Sequence, residues 1–311
     1  MGRIRVQALA VSLVALLAGG AAQDSTFKVN VRLVRLLVSV KDASGRLIGN
    51  LDKDDFSVFD NGARQDITVF ERRTEQPLSV AVLVDTSGST GKDLRYELDS
   101  VDRFLKALFR EGNSDDSAAL YSFNWQVSLR SSYTRRLLRL EQSLRGLHSE
   151  GGTSLYDAIF LASEDLEGRE GRHVMVVVTD GGDTTSSKTY HEALEAAQMS
   201  DAVLYPVVVV PITNEAGRNI GGEHSLTTLA AGTGGRTFFP DSAAELDTAF
   251  MDILRELRTQ YLIGYYPRNT PLTKNRFHNL RVNLKQTNLR ALTRNGYYGE
   301  FEDSTGRLQG R

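Results

Sequence analysis

Three apolar runs, at residues 78–84, 173–179 and 203–210, constrain this chain more than any other feature. Each is close to continuous in Val, Leu, Ile, Ala or Met and is short, the pattern of a strand buried on both faces rather than one. Between and after them lie segments of helical periodicity. Residues 92–110 place Leu94, Leu98, Val101, Leu105 and Leu108 at spacings of three and four, so one face is apolar. Residues 135–147, 154–166, 190–199 and 241–257 read as further helices, the last capped by Asp241 or Ser242. Residues 118–123 and 126–133 read as two strands linked at Asn124. Strands alternating with amphipathic helices predict an α/β fold, a doubly wound and mostly parallel sheet with helices on both faces.

The flanks follow another rhythm. Residues 27–73 alternate polar and apolar in short strands, and Asp60-Asn61-Gly62 is a strong hairpin signal because Asn and Gly tolerate positive φ. Beyond Thr259, residues 261–266, 280–284 and 289–293 are again strand-like. The economical arrangement pairs the segments 24–75 and 259–301 in one small all-β domain, into which residues 76–258 are inserted, with 302–311 as a tail.

Arg3 and Arg5 precede an apolar stretch from Val6 to Leu17 and then small residues, which is the layout of a secretory signal peptide over residues 1–23. The apolar stretch is short against the roughly 20 residues that span a bilayer. Export to the periplasm or the medium is expected, with no integral membrane segment after cleavage. A net charge of -2 offers no field for nucleic acid. The absence of cysteine removes disulfides, thiolate nucleophiles and Cys-containing zinc sites.

The chemistry concentrates where the first buried strand ends, in Asp85-Thr-Ser87-Gly-Ser89-Thr-Gly91. Asp85, Ser87 and Ser89 are hard oxygen donors, suited to a cation such as Mg2+. Two further pieces follow: Gly151-Gly-Thr153 before a helix, and Val176-Val-Val-Thr-Asp180-Gly181 at the end of a second buried strand. Together the three resemble the metal-ion-dependent adhesion site of the von Willebrand factor A family, over residues 76–258. The flanks, with Leu51 to Gly62, Tyr261 to Tyr266 and Asn295 to Tyr298, more weakly resemble exported bacterial proteins carrying such domains.

That resemblance implies one divalent ion, Mg2+ or else Mn2+ or Ca2+, held by Asp85, Ser87, Ser89, Thr153 and Asp180. The two serines would ligate directly and Thr153 directly or through water, while Asp85 and Asp180 would act through water and by orienting the serines. An open coordination position would accept the Asp or Glu carboxylate of a protein partner. Gly88, Gly152 and Gly181, beside the ligands, and Asn214 and Asn219, in the unpatterned stretch 211–222, are the candidate partner-binding residues.

Plainer readings compete. Asp85 to Ser89 suits a turn that caps the following helix. Asp157 suits a first-turn carboxylate favoured by the helix dipole, and Asp183 a turn residue. No nucleophile elbow, Gly-x-x-x-x-Gly-Lys loop or His-Glu-x-x-His occurs, and the five histidines lack ligand spacing. A non-enzymatic adhesion or assembly module is the expectation; a metal-dependent hydrolase using the same Asp/Ser cluster and a metal-free scaffold are the alternatives.

Overall fold

A computed structural model describes residues 33–72, 75–209, 219–270 and 276–299. The expected signal peptide, the tail and most of the stretch 211–222, Asn214 included, lie outside these residues.

The N-terminal segment forms β1 (Val34–Asp42), β2 (Phe56–Asp60), β3 (Ala63–Gln65) and β4 (Val69–Glu71). Next come β5 (Leu78–Asp85), α1 (Leu94–Glu111), β6 (Ser117–Phe123), β7 (Val127–Thr134), α2 (Leu137–Arg145) and α3 (Leu155–Glu167). Then follow β8 (Arg172–Thr179), α4 (Tyr190–Met199), β9 (Val203–Val208), α5 (Ile220–Thr233) and α6 (Ala243–Leu257). The chain closes with β10 (Tyr261–Tyr265), β11 (Phe277–Leu284), β12 (Leu289–Leu292) and β13 (Gly296–Tyr298).

The central sheet has the order β7-β6-β5-β8-β9, parallel except for β7. Alternation along β5 divides the core. Val80, Val82 and Val84 face α1, α2 and α6, whereas Ala81 and Leu83 face α3, α4 and α5. Every residue of β5, β8 and β9 is buried, which is why these runs lack polar alternation. The chain leaves β5 toward β6 on one side and later returns to β8 on the other. The switch point therefore lies between the carboxyl ends of β5 and β8, where sheets of this kind hold their ligands.

The helices at 94–111 and 243–257 match their expectations, and Ser242 is the cap of α6, its hydroxyl accepting from the Glu245 amide at 3.3 Å. Helix α5 is a difference. Its first turn holds Gly221 and Gly222, poor helix formers that read as loop, yet Asn219 caps it by accepting from the Gly222 amide at 2.9 Å. Gly234, at φ 90°, ends it in the left-handed conformation.

Two antiparallel sheets, β12-β1-β10-β4 and β13-β11-β2-β3, accompany the central one. Leu36 faces Ile263 across the first, and Leu280 faces Asp60 across the second, so each sheet mixes strands from before and after the α/β region. Their shared core takes Val34, Leu36, Val38 and Phe56 from one end and Tyr261, Ile263 and Tyr265 from the other. The hairpin at Asn61 (φ 46°) and Gly62 (φ 83°) closes in a two-residue loop between Asp60 and Ala63.

Candidate functional site

Asp85 is the last residue of β5 and has no exposed surface. One carboxylate oxygen accepts from the Ser87 amide at 2.8 Å and the other from the Thr179 hydroxyl, at the end of β8, at 2.6 Å. Burial pushes the acid up to about 6; the hydrogen bonds from Thr179 and Ser87 oppose that rise and Asp180 adds to it. The chain then turns through Gly88–Lys92, and here the capping alternative fails. Neither the Ser87 hydroxyl nor the Asp93 carboxylate caps the helical turn that follows it. The Ser87 hydroxyl instead lies 3.0 Å from that of Ser89, and these hydroxyls counter the rise of the neighbouring acids, Ser87 that of Asp85 and Ser89 that of Asp180. Asp85, Ser87, Ser89 and Asp180 thus gather their oxygens at the switch point.

Thr153 reaches the same rim through its backbone. The Gly88 amide donates to Gly151 O at 3.0 Å and the Glu150 amide to Thr86 O at 2.8 Å, which stitches the 150–153 loop to the turn after β5. Thr153 O accepts from the amides of Thr184 and Thr185, and its own amide donates to the Thr184 hydroxyl at 2.8 Å. Its side chain makes no hydrogen bond with the other four candidates among the described residues.

No ion pair reaches Asp85, Asp180 or Glu97 among the described residues, and burial raises Asp180 too. Acids held together without a basic partner, next to two serine hydroxyls, are a donor set that fits a hard divalent cation. No group of three or more His, Asp or Glu side chains among the described residues could hold a metal ion.

Residues 80–182 match the model of the von Willebrand factor type A domain. This segment is a von Willebrand factor A domain. No curated protein matches the chain. Among solved structures, the vWF domain of the type V pili tip protein Mfa5 from Porphyromonas gingivalis is similar, at 14% identity and a TM-score of 0.48, over 58% of this chain and 95% of that one. The PilB minor pilin from Streptococcus sanguinis is similar at 13% identity and a TM-score of 0.47; 61% of this chain matches 63% of that one. BatB from Bacteroides thetaiotaomicron is similar at 20% identity and a TM-score of 0.45, over 58% of this chain and 98% of that one. At such identities none of them speaks to what this A domain binds.

Of the partner-binding candidates, Gly88 and Gly152 sit on the rim of the A domain's switch point, with Gly88 exposed and Gly152 half-buried. Gly181 is buried, and a Cβ there would stand 3.8 Å from Asn219. Asn219 spends its side-chain oxygen on capping α5. Asp157 is occupied as well, accepting from the Ser187 and Lys188 amides at 3.1 and 2.7 Å, and Asp183 holds the Ser186 hydroxyl. Both pin the loop after β8.

Three neighbours of the candidate site escaped sequence reading. Thr179 fixes Asp85 across strands. Trp125, the single tryptophan, is 53% exposed and lies against Gly151, whose added Cβ would meet its ring at 2.3 Å. Glu97, on α1, is buried and feels the charges of Asp85 and Asp180. Only the acid's place among the apolar residues of a helical stripe could have flagged it.

Proposed function

We propose that this chain is an exported, non-enzymatic adhesion or assembly module whose A domain holds one divalent cation, Mg2+ or else Mn2+ or Ca2+, at Asp85, Ser87, Ser89, Thr153 and Asp180. When bound, the ion would offer a coordination position to an Asp or Glu carboxylate of a protein partner. The observation that carries this reading is the Asp85-Ser87-Ser89-Asp180 cluster: one buried and one half-buried acid beside two hydroxyls 3.0 Å apart, with no basic side chain paired to either acid among the described residues. The serines supply neutral ligands, and the acids orient them and balance the charge. No helix among the described residues is long and apolar enough to cross a membrane.

A hydrolase would need a general base within reach of the ion. The Nδ1 and Nε2 atoms of His173 face the carbonyls of Ser200 and Arg169, and His278 sits on Asp60, so these two favour the binding role. Calorimetric titration of the metal-stripped full chain with Mg2+ and Mn2+ should give one site, absent in Asp85→Ala. Retention of a partner from an extracellular extract should follow in Mg2+, fail in EDTA and weaken in Thr153→Ala. A wild-type chain that takes up no divalent ion would overturn the reading.

A further inference from the structure

Helix α1 turns a stripe of side chains inward: Leu94, Glu97, Val101, Phe104, Leu105 and Leu108 are all buried. Five are apolar and pack in the core, as the helical period requires. The sixth is an acid. Glu97 has no exposed surface, and neither of its carboxyl oxygens has a hydrogen-bond partner among the described residues. It lies in the first turn of the helix that follows the Gly88–Lys92 turn, which itself continues β5 beyond Asp85. Burial, with the negative charges of Asp85, Asp180 and Asp93 added to it, holds the acid well above the usual carboxylate range. A Leu or Met would fill this space without leaving two oxygens unsatisfied, so packing gives no reason for an acid here.

A cation at the neighbouring site supplies that reason. We infer that Glu97 is a positioning residue of the metal centre, its carboxyl accepting hydrogen bonds from water carried by a divalent ion held at Ser87 and Ser89. Direct ligation beside both aspartates does not fit, because no three such side chains among the described residues form a metal-holding group. Acting through water, Glu97 adds negative charge behind the ion and steadies it while the partner's position stands open. The inference rests on the metal reading of the site above.

Glu97→Gln keeps the shape and removes the charge. In the metal-stripped full chain it should melt at the same temperature as wild type or higher, because an unpaired buried acid is relieved. Its affinity for Mg2+, measured by calorimetry with MgCl2 alone, should fall about tenfold or more. That opposite pair of effects is what a merely structural acid would not give. Wild-type binding with Glu97→Gln affinity within about twofold of it would overturn the role of Glu97 and leave the site standing. Absence of Mg2+, Mn2+ and Ca2+ binding in wild type would overturn both. If Glu97→Gln does not fold, Glu97→Met is measured in its place; failure of both to fold makes Glu97 a structural residue and overturns the inference.

Discussion

Asp60 and Asp85 are both carboxylates with no exposed surface, and the molecule treats them in opposite ways. Around Asp60, in the β sheets, His278 Nδ1 stands 2.8 Å from one oxygen, while the hydroxyls of Tyr265 and Tyr297 donate to the other at 2.9 and 2.8 Å. These partners come from β10, β11 and β13, so one acid ties strands of both antiparallel sheets to the end of β2. Asp85 has donors too, but the charge of Asp180 acts against its own, and Glu97 on α1 has no donor among the described residues. A buried charge that its own chain satisfies serves stability. One gathered with other acids and left short of partners marks a candidate site, the reading proposed above.

The contrast can be broken at either end. Asp60→Ala strands two phenols and an imidazole in the β core and should cost about 3–5 kcal/mol, seen as a lower urea midpoint that Mg2+ does not correct. A loss under about 1 kcal/mol would show that the network is ornamental. Next in size, Mg2+ at a hundred times its dissociation constant should stabilise wild type by about 2.7 kcal/mol, and Asp85→Ala should lose this gain entirely. In EDTA, Asp85→Ala should be less damaging than Asp60→Ala; the reverse order would make Asp85 the structural acid.

Asp180→Asn sharpens the same comparison on a smaller scale. Removing one of the clustered charges should weaken Mg2+ about tenfold, or ~1.4 kcal/mol, while the stripped protein melts no lower than wild type. A lower melting temperature in EDTA would mean that Asp180 is held by its own chain after all. The smallest effect is expected at Gly151, whose φ of 74° and contact with Trp125 leave no room for a Cβ. Gly151→Ala should cost on the order of 1 kcal/mol and move the emission of Trp125, the single tryptophan, to longer wavelength. Unchanged emission would show that the ring does not rest on this loop.

How much was legible depends on how local each signal is. Asp85, Ser87 and Ser89 announce themselves because a strand end and the turn after it are contiguous in the chain, and the apolar runs at β5, β8 and β9 report burial on two faces directly. Helix α5 was not legible as a helix. Glycines at its start lower intrinsic propensity, and the fit that requires them, a Gly222 backbone against that of Gly182, is a tertiary contact. Asn219 was weighed for partner contact because its neighbours looked like loop, whereas its side chain caps that helix.

By itself, then, the sequence determined the α/β class, the Asn61-Gly62 hairpin and the three pieces of the candidate site, since all of these are written in periodicity, turn chemistry or short motifs. Only the tertiary structure decided which side chains complete them. Thr179 reaches Asp85 from another strand, Tyr265, Tyr297 and His278 reach Asp60 from more than 200 residues away, and Glu97 reads as one polar position in a helix until its oxygens are found buried without partners among the described residues. The physical reason is that periodicity reports whether a side chain faces inward, whereas the charge and hydrogen bonds it meets there are set by residues remote in the chain.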